Sequence, residues 1–118
     1  MSETGSRGRA QEPEELGRLF LEHANADDLD GVVALYETDA ILVVASEQVV
    51  VGHAAIRVFC HDLLATRPKF TGEVRPALRH EDLALTSTRF TGGATAEVAR
   101  RQVDGTWLWV VDQPNVLR

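Results

Sequence analysis

Residues 16–64 read LGRLFLEHANADDLDGVVALYETDAILVVASEQVVVGHAAIRVFCHDLL, and the interruptions in this stretch decide the fold. Leu16, Leu19, Phe20 and His23 recur at helical spacing and form one inward stripe. Just upstream, Pro13 stands where a first helical residue loses no hydrogen bond, and Glu14 and Glu15 complement the helix dipole. Residues 25–31 (NADDLDG) end that stripe. Asp27 or Asp28 can cap a second, short helix that turns Leu29, Val32, Val33 and Tyr36 inward. Residues 40–45 and 48–51 are almost continuously apolar, which predicts two strands buried on both faces with Ser46-Glu47 as their turn. Gly52 breaks the second strand. Ile56, Phe59, Cys60, Leu63 and Leu64 then fall at i, i+3, i+4, i+7 and i+8, the pattern of an amphipathic helix, which Pro68 ends.

Downstream the periodicity changes to that of strands. Residues 70–78, 83–90, 94–103 and 106–112 are predicted strands, with Pro76 placing an edge or a bulge in the first. Turns fall at His80-Glu81-Asp82, at Thr91-Gly92-Gly93 and at Asp104-Gly105, the last a strong hairpin signal. Three helical segments followed by an antiparallel meander make an α+β domain. It spans residues 13–118, behind a polar tail at residues 1–12 that lacks periodic apolar residues and is expected to be disordered.

The chain has 118 residues, 44% hydrophobic and 25% charged, enough for one domain with a real core. Its net charge of -6 and pI of about 5.1 disfavour phosphate backbones and anionic membranes, so neither nucleic acid nor a membrane is an expected partner. Cys60 is the only cysteine, so no internal disulfide forms, and no Cys/His spacing suits zinc or another metal. Phosphate-loop, dinucleotide-binding and serine-hydrolase motifs are missing, and no cofactor is expected. Without a secretory h-region or a membrane-spanning run, a cytoplasmic location is expected.

Residues 26–36 (ADDLDGVVALY), 52–57 (GHAAIR) and 100–107 (RRQVDGTW) resemble the NTF2-like superfamily, in its SnoaL-like and ketosteroid-isomerase-like branch. The likeness runs over residues 16–112. It implies a cystatin-like cone, in which three helical segments pack on a curved antiparallel or mixed sheet around an apolar pocket. It also implies a homodimer joined through the outer sheet face. Ketosteroid isomerases move a proton with a carboxylate base, and hold an oxyanion with a tyrosine and a protonated aspartic acid. Alignment on these segments puts Phe20 in place of the tyrosine, Val44 in place of the base and Ala99 in place of the aspartic acid. Phenylalanine has no donor and valine accepts no proton, so that mechanism is not expected here. SnoaL-like cyclases instead use an aspartate at the end of the last long strand, where this chain has Asp112.

Asp112 is accordingly the leading acid/base candidate, because a carboxyl facing an apolar cavity has its pKa raised by burial. The alternative is a structural Asp112 that caps backbone amides or pairs with an arginine. Strand alternation puts Glu97 and Arg101 on the face of Ala99. There they form a structural ion pair, Arg101 reaches water near the open strand end, or Arg101 steadies developing negative charge on an acidic or enolate ligand. His23 on the first helix is a further acid/base candidate, with a structural role as its alternative; His61 reads as structural or solvated, and His53 and His80 as exposed turn residues. Cys60, within an apolar stripe, reads as buried and inert. Phe20, Tyr36, Val44, Phe59 and Leu63 are expected to shape the pocket, with Thr86, Thr88, Ala99 and Val110 completing its ligand-binding wall. Parity counted back from Asp112 puts Trp107 and Trp109 on the outer face, as anchors of the dimer.

These readings converge on a small-molecule-binding protein with an apolar pocket. Its enzymatic form is a proton-transfer cyclase or isomerase acting on a polyketide-like or other hydrophobic substrate. The alternative is a ligand-binding or protein-interaction domain without turnover.

Overall fold

The computed structural model describes residues 9–45, 48–66 and 69–116. Three helices precede most of the strands: α1 (Glu15–Asn25), α2 (Leu29–Val33) and α3 (His53–Thr66), with β1 (Tyr36–Ala45) and β2 (Gln48–Val51) between the second and third. The remaining strands are β3 (Glu73–Val74), β4 (Leu78–His80), β5 (Leu83–Thr86), β6 (Thr88–Phe90), β7 (Gly93–Ala94), β8 (Ala96–Arg101) and β9 (Trp107–Gln113). Six of them form one mixed sheet in the order β2-β1-β9-β8-β5-β4, in which only β1 and β9 run parallel. A small second sheet has the order β3-β6-β7. The helices pack on one face of the large sheet, giving the α+β cone.

The junctions follow from side-chain chemistry. Asp27 takes the left-handed conformation (φ 57°) that ends α1, and the Asp28 amide donates to the His23 carbonyl oxygen at 2.8 Å. Of the two candidate caps it is Asp28 that serves, its Oδ1 accepting from the Gly31 amide at 3.0 Å. Its Oδ2 meanwhile accepts from His23 Nδ1 at 3.1 Å. Gly52 adopts φ 91°, open to glycine at no steric cost, and turns the end of β2 directly into α3. The Asp104-Gly105 hairpin forms as expected, with Asp104 Oδ1 accepting from the Thr106 amide at 3.0 Å and its hydroxyl at 2.7 Å.

Several expectations need correction. Residues 9–12 are not a free tail: Ala10 is 1% exposed and its carbonyl oxygen accepts from the Trp107 amide at 2.9 Å. The rest of the expected tail, the Ser46-Glu47 turn and the helix stop at Pro68 lie outside the described residues. Tyr36 opens β1 rather than closing the second helix. The long strand expected over residues 70–78 is two short ones separated at Pro76, which has no amide to give a ladder. The next two are broken at Ser87 and at Thr95. There Ser87 Oγ donates to the Thr95 carbonyl oxygen (2.8 Å), and the Thr88 amide donates to Thr95 Oγ1 (2.8 Å). These side-chain bonds replace ladder bonds at the point where the hairpin leaves the large sheet for the small one, and so curl the wall over the interior. His53 is half-buried instead of exposed, because its Nε2 lies 2.7 Å from the Tyr36 carbonyl oxygen.

Gly31 is held by this packing. A Cβ there would come within 2.4 Å of His23 Nδ1 and 2.6 Å of Asp28 Oδ2. Gly31→Ala is expected to displace both and to lose the α2 cap, costing about 1–2 kcal/mol in urea unfolding. An unchanged unfolding midpoint would show that the cap and its histidine are dispensable.

Candidate functional site

Between α1, α3 and the concave side of the sheet lies a cavity of about 340 Å³. Six of the chain's seven aromatic residues line it: Phe20, Tyr36, Phe59, Phe70, Phe90 and Trp109. Phe20 meets Phe70 edge-on with ring centroids 5.9 Å apart, and Tyr36 and Trp109 are 5.3 Å apart. These contacts hold the wall rigid. Only two ionisable carboxyls enter, Glu97 from β8 and Asp112 from β9, and they are direct cross-strand partners in the ladder.

A bulge creates this juxtaposition. Ala99 pairs with Trp109 but Val98 pairs with Val111, so Val110 is an extra residue in β9. Trp109 and Asp112 therefore both face inward although they are three positions apart. This overturns the expected outward tryptophans: Trp107 and Trp109 are each buried within the protein, Trp109 in the cavity wall. Trp107 is instead covered by the Ala10 segment, with the Arg79 guanidinium 5.8 Å from its ring centroid.

The carboxyls sit in a directed hydrogen-bond network. Tyr36 donates its hydroxyl to Asp112 Oδ2 at 2.5 Å, a buried bond. Asp112 Oδ1 is also buried and has no hydrogen-bond partner among the described residues. Trp109 Nε1 donates to Thr86 Oγ1 at 3.1 Å, so the Thr86 hydroxyl is free to donate onward to Glu97 Oε1 at 2.6 Å. The Thr95 hydroxyl adds a second hydrogen bond to Glu97.

Burial raises both acids. Asp112 is pushed up to about 6 by loss of hydration, opposed by the Tyr36 hydrogen bond. Glu97 is pushed up to about 8, by burial first and by the neighbouring Asp112 charge second, against the two threonine hydrogen bonds. Burial and mutual repulsion thus both oppose double ionisation, and the pair shares a proton near neutrality. Tyr36 is raised far above the usual phenol range by burial and by Asp112, so it remains a donor. Cys60 lines the cavity, and burial pushes its thiol up to about 12, leaving no thiolate for nucleophilic work.

Of the residues expected at the site, Phe20, Tyr36, Phe59, Leu63, Thr88, Glu97 and Asp112 line the cavity. Thr86 lies behind Glu97 and holds it. Val44 and Ala99 belong to the packed core and Val110 to the bulge, so these three form no part of the cavity wall. Arg101 does not face the cavity: it is exposed at the end of β8, where its guanidinium donates to Asp82 Oδ1 at 2.5 Å. Alternation assigned its side correctly, but the helical layer does not reach that strand end. His23 is held by Asp28 beside α2 and does not line the cavity either. The roles of Trp109 and Phe90 went unread because they depend on the bulge and on the break at Ser87, neither of which leaves a compositional mark. Among the described residues no cluster suits a metal ion, and no helix is long and apolar enough to cross a membrane.

A family model for the SnoaL-like domain matches residues 18–117. No curated protein matches the sequence. Among solved structures, the chain is similar to an NTF2-like protein of Streptomyces avermitilis provisionally described as a dehydratase. The two share 15% identity with a TM-score of 0.68, over 83% of this chain and 88% of that one. It is also similar to a SnoaL-like protein of unknown function from Burkholderia thailandensis (18% identity, TM-score 0.63, 85% and 90% covered). A third is a ketosteroid isomerase-like protein from Erwinia carotovora atroseptica (16% identity, TM-score 0.62, 85% and 89% covered). At these identities the likeness establishes the shared fold.

Both buried acids hold their protons more tightly folded than unfolded. From about pH 4 to about pH 8 the native state thus binds more protons, and stability falls as pH rises through that window. Calorimetric melting is expected to show Tm falling from about pH 5 to about pH 8, and Glu97→Gln is expected to flatten most of that fall. A variant with the parent slope would mean that Glu97 is ionised throughout.

Proposed function

We propose that this chain, which belongs to the SnoaL-like family, binds a small and largely apolar molecule in its cavity and moves a proton on it. The observation that carries the reading is the pair of buried, cross-strand carboxyls that face the cavity, one of them with an unpartnered oxygen. Asp112 acts as the base through its unpartnered Oδ1, while Tyr36 orients it through Oδ2. Glu97 in its protonated form donates to the oxygen on which negative charge develops, taking the part expected of Arg101. The aromatic wall excludes water and presents flat, apolar surface, which suits cyclisation or isomerisation of a polyketide-like or other hydrophobic substrate. These residues occupy different positions from the ketosteroid isomerase set, whose alignment positions here are Phe20, Val44 and Ala99.

A general base in an apolar cavity can be tested without the natural substrate. The neutral probe 5-nitrobenzisoxazole opens its ring when one proton is removed, and its product absorbs visible light. Turnover is expected to rise with pH through about pH 6, following Asp112 ionisation. Asp112→Asn is expected to lose about 10²-fold or more, and Glu97→Gln a smaller factor. Parent-level turnover in Asp112→Asn would reject Asp112 as the base.

The reading includes a homodimer through the outer sheet face, but with different residues from the tryptophans. The ladder registers align Val51, Ile41, Val111, Val98, Leu85 and Leu78, one residue from each strand, in a single row across the sheet. All but Val98 are exposed large apolar side chains, a continuous band of the kind that marks an association surface. Sedimentation is expected to give a dimer for the parent and a monomer for Leu85→Lys. A monomeric parent would end this part of the proposal.

A further inference from the structure

We infer that the occupant of the cavity carries a protonated amine. This rests on the proposed role of the cavity as the ligand site, and it adds the charge of the ligand. Two independent features point to it. The first is the unsatisfied oxygen. Asp112 is 6% exposed, its Oδ2 is taken by Tyr36, and its Oδ1 has no hydrogen-bond partner among the described residues. A buried carboxylate oxygen is satisfied only by a donor, and a charged N–H is the strongest available. The second is the wall itself. Six aromatic residues surround the space, and their π faces attract a cation lying within about 6 Å.

The protein supplies no cation of its own there. Among the described lining residues none is Lys, Arg or His. Three arginines on nearby strands are paired elsewhere, Arg100 with Glu37, Arg101 with Asp82 and Arg79 with Glu12, and Arg89 of β6 is exposed and does not line the cavity. An anionic ligand would face Asp112 with nothing to offset the repulsion, and a pure hydrocarbon would leave Oδ1 bare. An arylalkylammonium of modest size fits a 340 Å³ cavity with its carbon body against the rings, one lone pair of Oδ1 accepting its N–H and the other left to take a proton from carbon as the base.

The test compares three probes of similar size by titration calorimetry at about pH 7.5: N,N-dimethylbenzylamine, which is protonated there, its hydrocarbon counterpart isobutylbenzene, and benzyl alcohol as a neutral donor. The amine is expected to bind about tenfold or more tightly than either neutral probe. Asp112→Asn is expected to bring the amine within about twofold of isobutylbenzene while isobutylbenzene still binds. If either neutral probe matches the amine in the parent protein, the ammonium inference is overturned and the acid/base reading stands on the proton-removal assay. If none of the three binds, the cavity is not a ligand site and both proposals fall together.

Discussion

Two carboxyl groups on adjacent strands, both turned away from water, set the terms for the rest of this structure. Neither Glu97 nor Asp112 could be tolerated in an apolar interior without the groups arranged around it. The Tyr36 phenol favours the charged form of Asp112, while burial first and the Asp112 charge second favour the neutral form of Glu97. Tyr36, Thr86, Thr95 and Trp109 come from four different strand segments or their junctions, and each contributes one hydrogen bond to the pair or to its support. The curvature of the sheet, the β1–β9 parallel contact and the break at Thr95 all serve to bring those donors to one place.

The large features of the fold were legible in the chain because each rested on a local rule. Helical periodicity located α1 and α3, the aspartates before Gly31 marked the α2 cap, and Asp104-Gly105 marked the final hairpin. The strands downstream were legible in order but not in number or extent. Ser87 and Thr95 are ordinary strand residues by propensity. What breaks the ladder there is a pair of side-chain-to-backbone bonds that exist only once the two segments are side by side.

The candidate site shows the same boundary. Inward-facing Glu97 followed from simple alternation, and Asp112 from its place at a strand end. Their adjacency did not, since register between β8 and β9 is a property of the pairing. The outward assignment of the tryptophans failed for one reason: counting by twos across residue 110 gives the wrong side when one residue is extra. Arg101 takes the alternative of the open strand end, exposed to water and paired with Asp82.

That extra residue bears on how such a protein diversifies. Were the irregularity moved beyond position 112, with nothing inserted or removed, Val111 would enter the hollow and Asp112 would leave it. The pair of acids would be reduced to Glu97 alone while the helices and every other strand kept their places. A lineage carrying this kink can therefore gain or lose one of two adjacent acids by sliding a single irregularity, and kinship in shape says little about which chemistry is retained.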